Sequence, residues 1–105
     1  MRFCPWYPLA DGAARAPPTP GVFQIRIPRR LIDYPTGKSA MIHYQAAADV
    51  RAAVAAFAAA HPGAGWLCRH TIEMTAREVD DVEALCDKLV HDFRARFGRA
   101  PTVPT

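Results

Sequence analysis

Proline limits this chain more than any other residue, and its placement divides the sequence in two. Five of the ten prolines lie within the first twenty residues. Each removes an amide donor and fixes φ, so no helix is expected through Met1–Pro20. Residues 1–19 read as an extended arm ahead of a single domain over residues 20–105. Phe3, Trp6, Tyr7 and Leu9 are too apolar for a free tail, so the first nine residues should lie along the body. Asp11 to Thr19 is the looser part. The later prolines are punctuation: Pro28 closes one segment, Pro35 opens a turn, Pro62 follows a helix and Pro101 follows another.

Between these marks the hydrophobic period switches. Phe23, Ile25 and Ile27 alternate with Gln24 and Arg26, which marks a strand with one buried face. Leu31–Tyr34 reads as a short strand or hairpin arm, Pro35-Thr36-Gly37-Lys38 as a turn, and Ala40–Tyr44 as another strand. Alanine-rich Ala46–Ala60 favours helix, with Val50, Val54 and Phe57 as its apolar stripe. Trp66–Met74 alternates again and predicts a third main strand. Thr75-Ala76-Arg77-Glu78 is a capping box, and Val79, Val82, Cys86, Leu89, Phe93 and Phe97 extend one helix to a stop at Gly98.

Composition excludes less than it allows. Of 105 residues, 50% are hydrophobic and 22% charged, as in an ordinary globular domain. The net charge of +3 is too small to require a nucleic-acid partner. Its distribution is uneven: six basic and two acidic residues precede Ala46, against seven and eight after it. Three cysteines without a close pair argue against a disulfide framework, and prolines and Asp11 interrupt any signal-like run. The longest apolar stretch is too short to span a membrane. A cytoplasmic protein with reduced thiols and no membrane association is expected.

Several chemical words resolve into ordinary structure. Gly37-Lys38-Ser39 resembles the end of a P-loop, but Ile32 occupies the position of the required glycine. Cys68, His70 and Cys86 lack the spacing of a compact zinc motif and read as core, so no metal is expected. Ser39, His43 and Asp33 hold the elements of a triad without a nucleophile elbow. Arg26, Arg29, Arg30 and Lys38 could form a cationic face for nucleic acid if the first two strands pair as a hairpin. Trp6, Tyr7 or Tyr34 would then serve as stacking platforms.

Pro20-Gly21-Val22-Phe23, then Met41-Ile42-His43-Tyr44-Gln45 followed by Asp49-Val50-Arg51, and a last helix ending Arg-Phe-Gly, together resemble the GIY-YIG nuclease domain. The resemblance runs from Pro20 to Gly98. It implies an α/β fold with a small three-stranded antiparallel sheet flanked by helices, here preceded by the proline-rich arm. It also implies a metal-dependent phosphodiesterase site of two tyrosines, an arginine and a glutamate. In this chain Phe23 stands for the first tyrosine, His43 for the second, Gln45 for the motif glycine, Ala53 for the arginine, and Cys86 falls near the glutamate. Glu83, one turn earlier, is the available substitute.

Phenylalanine cannot pass a proton and alanine cannot neutralise an anion, so Phe23, His43 and Glu83 are expected to mark an inactive catalytic position. The reading is therefore a binding protein without a cofactor. A protein partner or a second copy held through Trp6 and Tyr7 is the first expectation, and nucleic acid held through Arg26, Arg29, Arg30 and Lys38 the second. The enzymatic alternative is a Mg²⁺-dependent DNA endonuclease rebuilt around His43 as base, with Glu83 or Glu73 as ligand and Arg51 or Arg69 nearby.

Overall fold

The computed structural model describes residues 1–104 as an α/β fold with helices on both faces of an antiparallel sheet. Four strands form that sheet in the order β1 (Tyr7–Pro8), β6 (Leu67–His70), β2 (Gly21–Arg26), β5 (Met41–Ala47). The sequence predicts three. The fourth comes from the arm, where Tyr7 pairs with Cys68 and Pro8 with Leu67. A proline is tolerated there because β1 is an edge strand with no ladder on its outer side. An isolated bridge between Phe3 and Thr71 continues the pairing towards the N-terminus.

The arm is not extended throughout. Leu9–Asp11 forms a 3₁₀ turn that leads into a short helix, α1 (Gly12–Arg15), within the stretch read as loose. Ala16 beyond it is fully buried. The segment is fastened to α2 (Val50–Ala60) by three hydrogen bonds. Val50 N–H donates to the Thr19 carbonyl, Arg51 N–H to that of Pro17, and Arg51 Nε to that of Ala16 at 2.7 Å. Arg51 is thus a fastening residue, and of the two arginines offered for a rebuilt site this one is engaged elsewhere.

Helix α2 starts four residues later than alanine content predicts, because Ala46 and Ala47 pair with Val22 and Gly21 in the sheet. Asp49 caps it, its carboxylate accepting from Ala52 N–H at 3.0 Å. Val50, Val54 and Phe57 are buried as their spacing requires, against Phe23, Ile25, Ile42 and Cys68. A bulge in β5 inserts Ile42 between the Ile25–His43 and Arg26–Met41 pairs. Ile42 therefore joins the same core.

On the other side of the sheet the expected single long helix is two. The capping box forms as expected at Thr75 and Glu78, but it opens only α3 (Ala76–Asp80). Asp81 then breaks the path, φ −143°, and caps α4 (Val82–Phe97) by accepting from Ala84 N–H. Val22 packs there with Leu85 and Cys86. Gly98 ends α4 in the left-handed conformation, φ 88°. The remaining strands, β3 (Ile32–Tyr34) and β4 (Gly37–Ser39), make a separate hairpin. The hairpin of the first two strands, on which the cationic face of Arg26, Arg29, Arg30 and Lys38 is conditional, does not form: β2 pairs with β5 and β6, and β3 with β4. No helix among the described residues is long and apolar enough to cross a membrane.

Candidate functional site

The positions that the family resemblance singles out fall on different faces of the sheet. Phe23 is fully buried on the α2 side, and the His43 ring lies 5.8 Å from it. His43 also stacks on Phe57 at 4.5 Å, and its Nε2 shares a 2.8 Å hydrogen bond with Gln45 Oε1. Burial holds the imidazole below its usual range, with His61 adding to the effect. Ala53 packs against this same core. Cys86 belongs to the opposite core with Val22, and Glu83 is exposed in the first turn of α4 on that side.

This separation corrects the expected catalytic set. A base on one face cannot share a substrate phosphate with a metal-binding carboxylate on the other. Glu73 is no better placed, since it is exposed and ion-paired with Arg2 at 2.8 Å. Cys68, His70 and Cys86 are divided in the same way, with Cys68 and His70 on the α2 side and Cys86 on the other. Cys68 is instead tied to its neighbours: its Sγ–H donates to the Tyr7 hydroxyl at 3.5 Å, and that hydroxyl lies 2.9 Å from His70 Nδ1. Burial pushes the Cys68 and Cys86 thiols up to about 11. No three His, Cys, Asp or Glu side chains among the described residues are placed to share a metal ion.

Tyr7 also leaves the expected partner-binding pair, since it is only 2% exposed and faces the core. Trp6, one residue earlier in the strand path, points the other way. There it meets a group that sequence reading assembled only in part.

The face of the sheet carrying α4 is packed by that helix chiefly over β5 and β2. Strand alternation brings the buried Gln24 and the half-buried Arg26 of β2, with Leu67 and Arg69 of β6, to the half of this face beside the arm. Arg26 Cζ lies 4.6 Å from the centre of the Trp6 ring and Arg69 Cζ lies 4.4 Å from it. Arg69 is also 4.6 Å from the Phe3 ring. Its Nε donates to Gln24 Oε1 at 2.7 Å, which fixes the guanidinium in a row that runs Tyr44, Gln24, Arg69 across three strands.

Electrostatically this cluster is unbalanced. Among the described residues neither Arg26 nor Arg69 has a carboxylate within ion-pair distance. Arg26 Nε is shielded from solvent and has no hydrogen-bond partner. Burial depresses the Arg69 guanidinium from its usual value, and the neighbouring charge of Arg26 acts in the same direction. Two half-buried cations against aromatic rings repel each other, and an anion bound beside them would offset that penalty.

The other basic residues expected here divide. Arg29 and Arg30 are exposed and join Arg26 around a shallow hollow of about 280 Å³ with Leu31 and Ala40. Lys38 is on the separate hairpin, paired with Asp33 at 3.4 Å, and takes no part. Arg69 is the member that sequence reading did not assign to this face. Its signal was the parity of the Leu67–His70 strand, which puts Arg69 on the side opposite Cys68 and His70.

Comparison with protein-family profiles, characterised proteins and solved structures finds no match to this chain.

Proposed function

We propose that this protein is a binding module of GIY-YIG-like fold without hydrolytic activity, and that it holds single-stranded nucleic acid on the half of its sheet beside the arm. The observation that carries the reading is the Arg26–Trp6–Arg69 cluster, two half-buried guanidiniums on one indole with no counter-charge among the described residues. Guanidinium forks match phosphate oxygens in pairs, and unstacked bases lie on aromatic or guanidinium planes. A duplex buries its base faces and would leave Phe3 and Trp6 without a role. The expectation of a protein partner loses support because Tyr7 is inside. Loss of hydrolysis is consistent with the separation of His43 from Glu83 across the sheet.

Fluorescence anisotropy with a labelled oligothymidylate, an oligouridylate and a duplex of equal length tests this reading. The single strands should bind at low salt, and the Arg26→Gln/Arg69→Gln variant should lose roughly tenfold or more in affinity. Displacement by polyglutamate at matched charge would reassign the face to an acidic protein, and no binding at low salt would remove the reading. Incubation with supercoiled plasmid and Mg²⁺ or Mn²⁺ should leave it intact. Nicking that disappears in His43→Ala would make the protein an endonuclease.

A further inference from the structure

A second hollow, of about 420 Å³, opens at the end of the sheet where β1 and β6 meet the end of α2. Its wall is apolar, built chiefly by Pro8, Leu9, Ala58, Trp66 and Leu67. Among the described residues Arg29 and His61 are the titratable side chains that line it, with no acidic one beside them. Trp66 is held in place by rings, with His61 at 5.1 Å and Phe57 at 6.1 Å. A volume of this order is sufficient for one flat heterocycle with its attached group.

Arg29 joins this hollow to the arginine face. It lines both the Trp66 hollow and the neighbouring one that it shares with Arg26 and Arg30. Its backbone is in the left-handed region, φ 65°, and no other non-glycine residue among those described has a positive φ. Such a conformation costs stability in a residue with a Cβ. Glycine would remove the cost, so the presence of a guanidinium at this turn is the unexplained feature.

The geometry points to a nucleobase site: the hollow receives one base of a bound single strand against Trp66, and Arg29 binds the phosphate that links it to the stretch on Arg26 and Arg69. The inference rests on the reading of the sheet face as a nucleic-acid surface. It adds that binding is anchored at one base, where the sheet face alone would hold any stretch of strand equally. The continuous line of Arg69, Arg26 and Arg29 favours a nucleotide over an unrelated apolar anion, because successive phosphates need successive cations.

The chain contains two tryptophans, one at each site, so the two indole N–H signals in a ¹H–¹⁵N spectrum report separately. Trp6→Phe and Trp66→Phe assign them. Titration of the full chain with an oligothymidylate should shift both signals, and thymidine 5′-monophosphate should shift that of Trp66. In Arg29→Gly, which relaxes the backbone while removing the guanidinium, the Trp66 response should fall and the Trp6 response persist. A Trp6 shift without a Trp66 shift would overturn the hollow and leave the sheet face standing. A Trp66 shift alone would overturn the face and with it the link through Arg29 to Arg26 and Arg69, making the hollow a site for a free nucleotide, and silence at both would overturn both. An equal response of Trp66 to benzoate and to the nucleotide would make the hollow a general site for aromatic anions and overturn the nucleobase assignment.

Discussion

Arg29 and Gly98 both adopt positive φ, but only one of them is a glycine. The left-handed conformation costs roughly 1–2 kcal/mol for a residue with a Cβ, partly offset in glycine by its larger unfolded-state entropy. Arg29→Gly should therefore raise stability, by up to about 1 kcal/mol, in chemical denaturation. An unchanged or lower midpoint would show that the arginine side chain has compensating contacts. Core aromatics lie at the opposite extreme. Phe57 and Phe93 are 9% and 5% exposed, and each packs against several rings. Phe57→Ala and Phe93→Ala should each cost about 3–5 kcal/mol, read from the same denaturation curves. Normal melting of both would contradict the packing. These two residues were legible in the sequence because helical spacing identifies an inward stripe. The conformation of Arg29 was not, since nothing in Pro28-Arg29-Arg30 requires a positive φ.

At the scale of elements, packing and pairing override local preference in several places. Alanine content alone extends α2 back to Ala46, but sheet pairing claims Ala46 and Ala47, and Asp49 sets the start. The capping box was legible as four residues, whereas the break at Asp81 was hidden because the apolar period runs straight through it. Loss of that cap in Asp81→Ala should cost about 1 kcal/mol and lower helical content by circular dichroism. The arm shows the same limit. Its proline count predicts an extended arm without helix, and the structure departs from this with a 3₁₀ turn and a helical turn that ends at the fully buried Ala16. Gly12 in that turn lies so close to α2 that an added Cβ would run into Val54 Cγ1. Gly12→Ala should destabilise by about 1–3 kcal/mol, with exchange protection lost first at the amides of Val50 and Arg51, which bond to Thr19 and Pro17. Uniform loss of protection across the sheet would contradict a docking role for α1.

For the whole molecule, the two faces of the sheet behave differently. The α2 face is closed and holds His43 and His70, both pushed below the usual imidazole value by burial, with His61 adding to the shift of the first and Arg15 to that of the second. The unfolded chain then binds protons more readily than the folded one below about 6.5. Folding stability should consequently be full near neutrality and decline as pH falls from 6.5 towards the depressed folded values. Thermal melting across that window should show the fall, and His70→Gln should flatten part of it. A flat profile in the wild-type chain would contradict neutral burial of these rings. The other face carries the half-buried Arg26–Trp6–Arg69 cluster beside the arm, and with it the functional account. Strand alternation made Arg26 legible there, but its grouping with Trp6 and Arg69 depends on the arm returning as an edge strand, a long-range pairing that no local pattern encodes. The most direct measurement is therefore the salt dependence of oligothymidylate binding. The logarithm of the binding constant should fall linearly with the logarithm of salt, and Arg69→Gln should reduce the slope by about 1, as Arg26→Gln should separately. Binding that keeps the wild-type slope in both variants would show that the strand's phosphates lie elsewhere and that the arginine face is not its site.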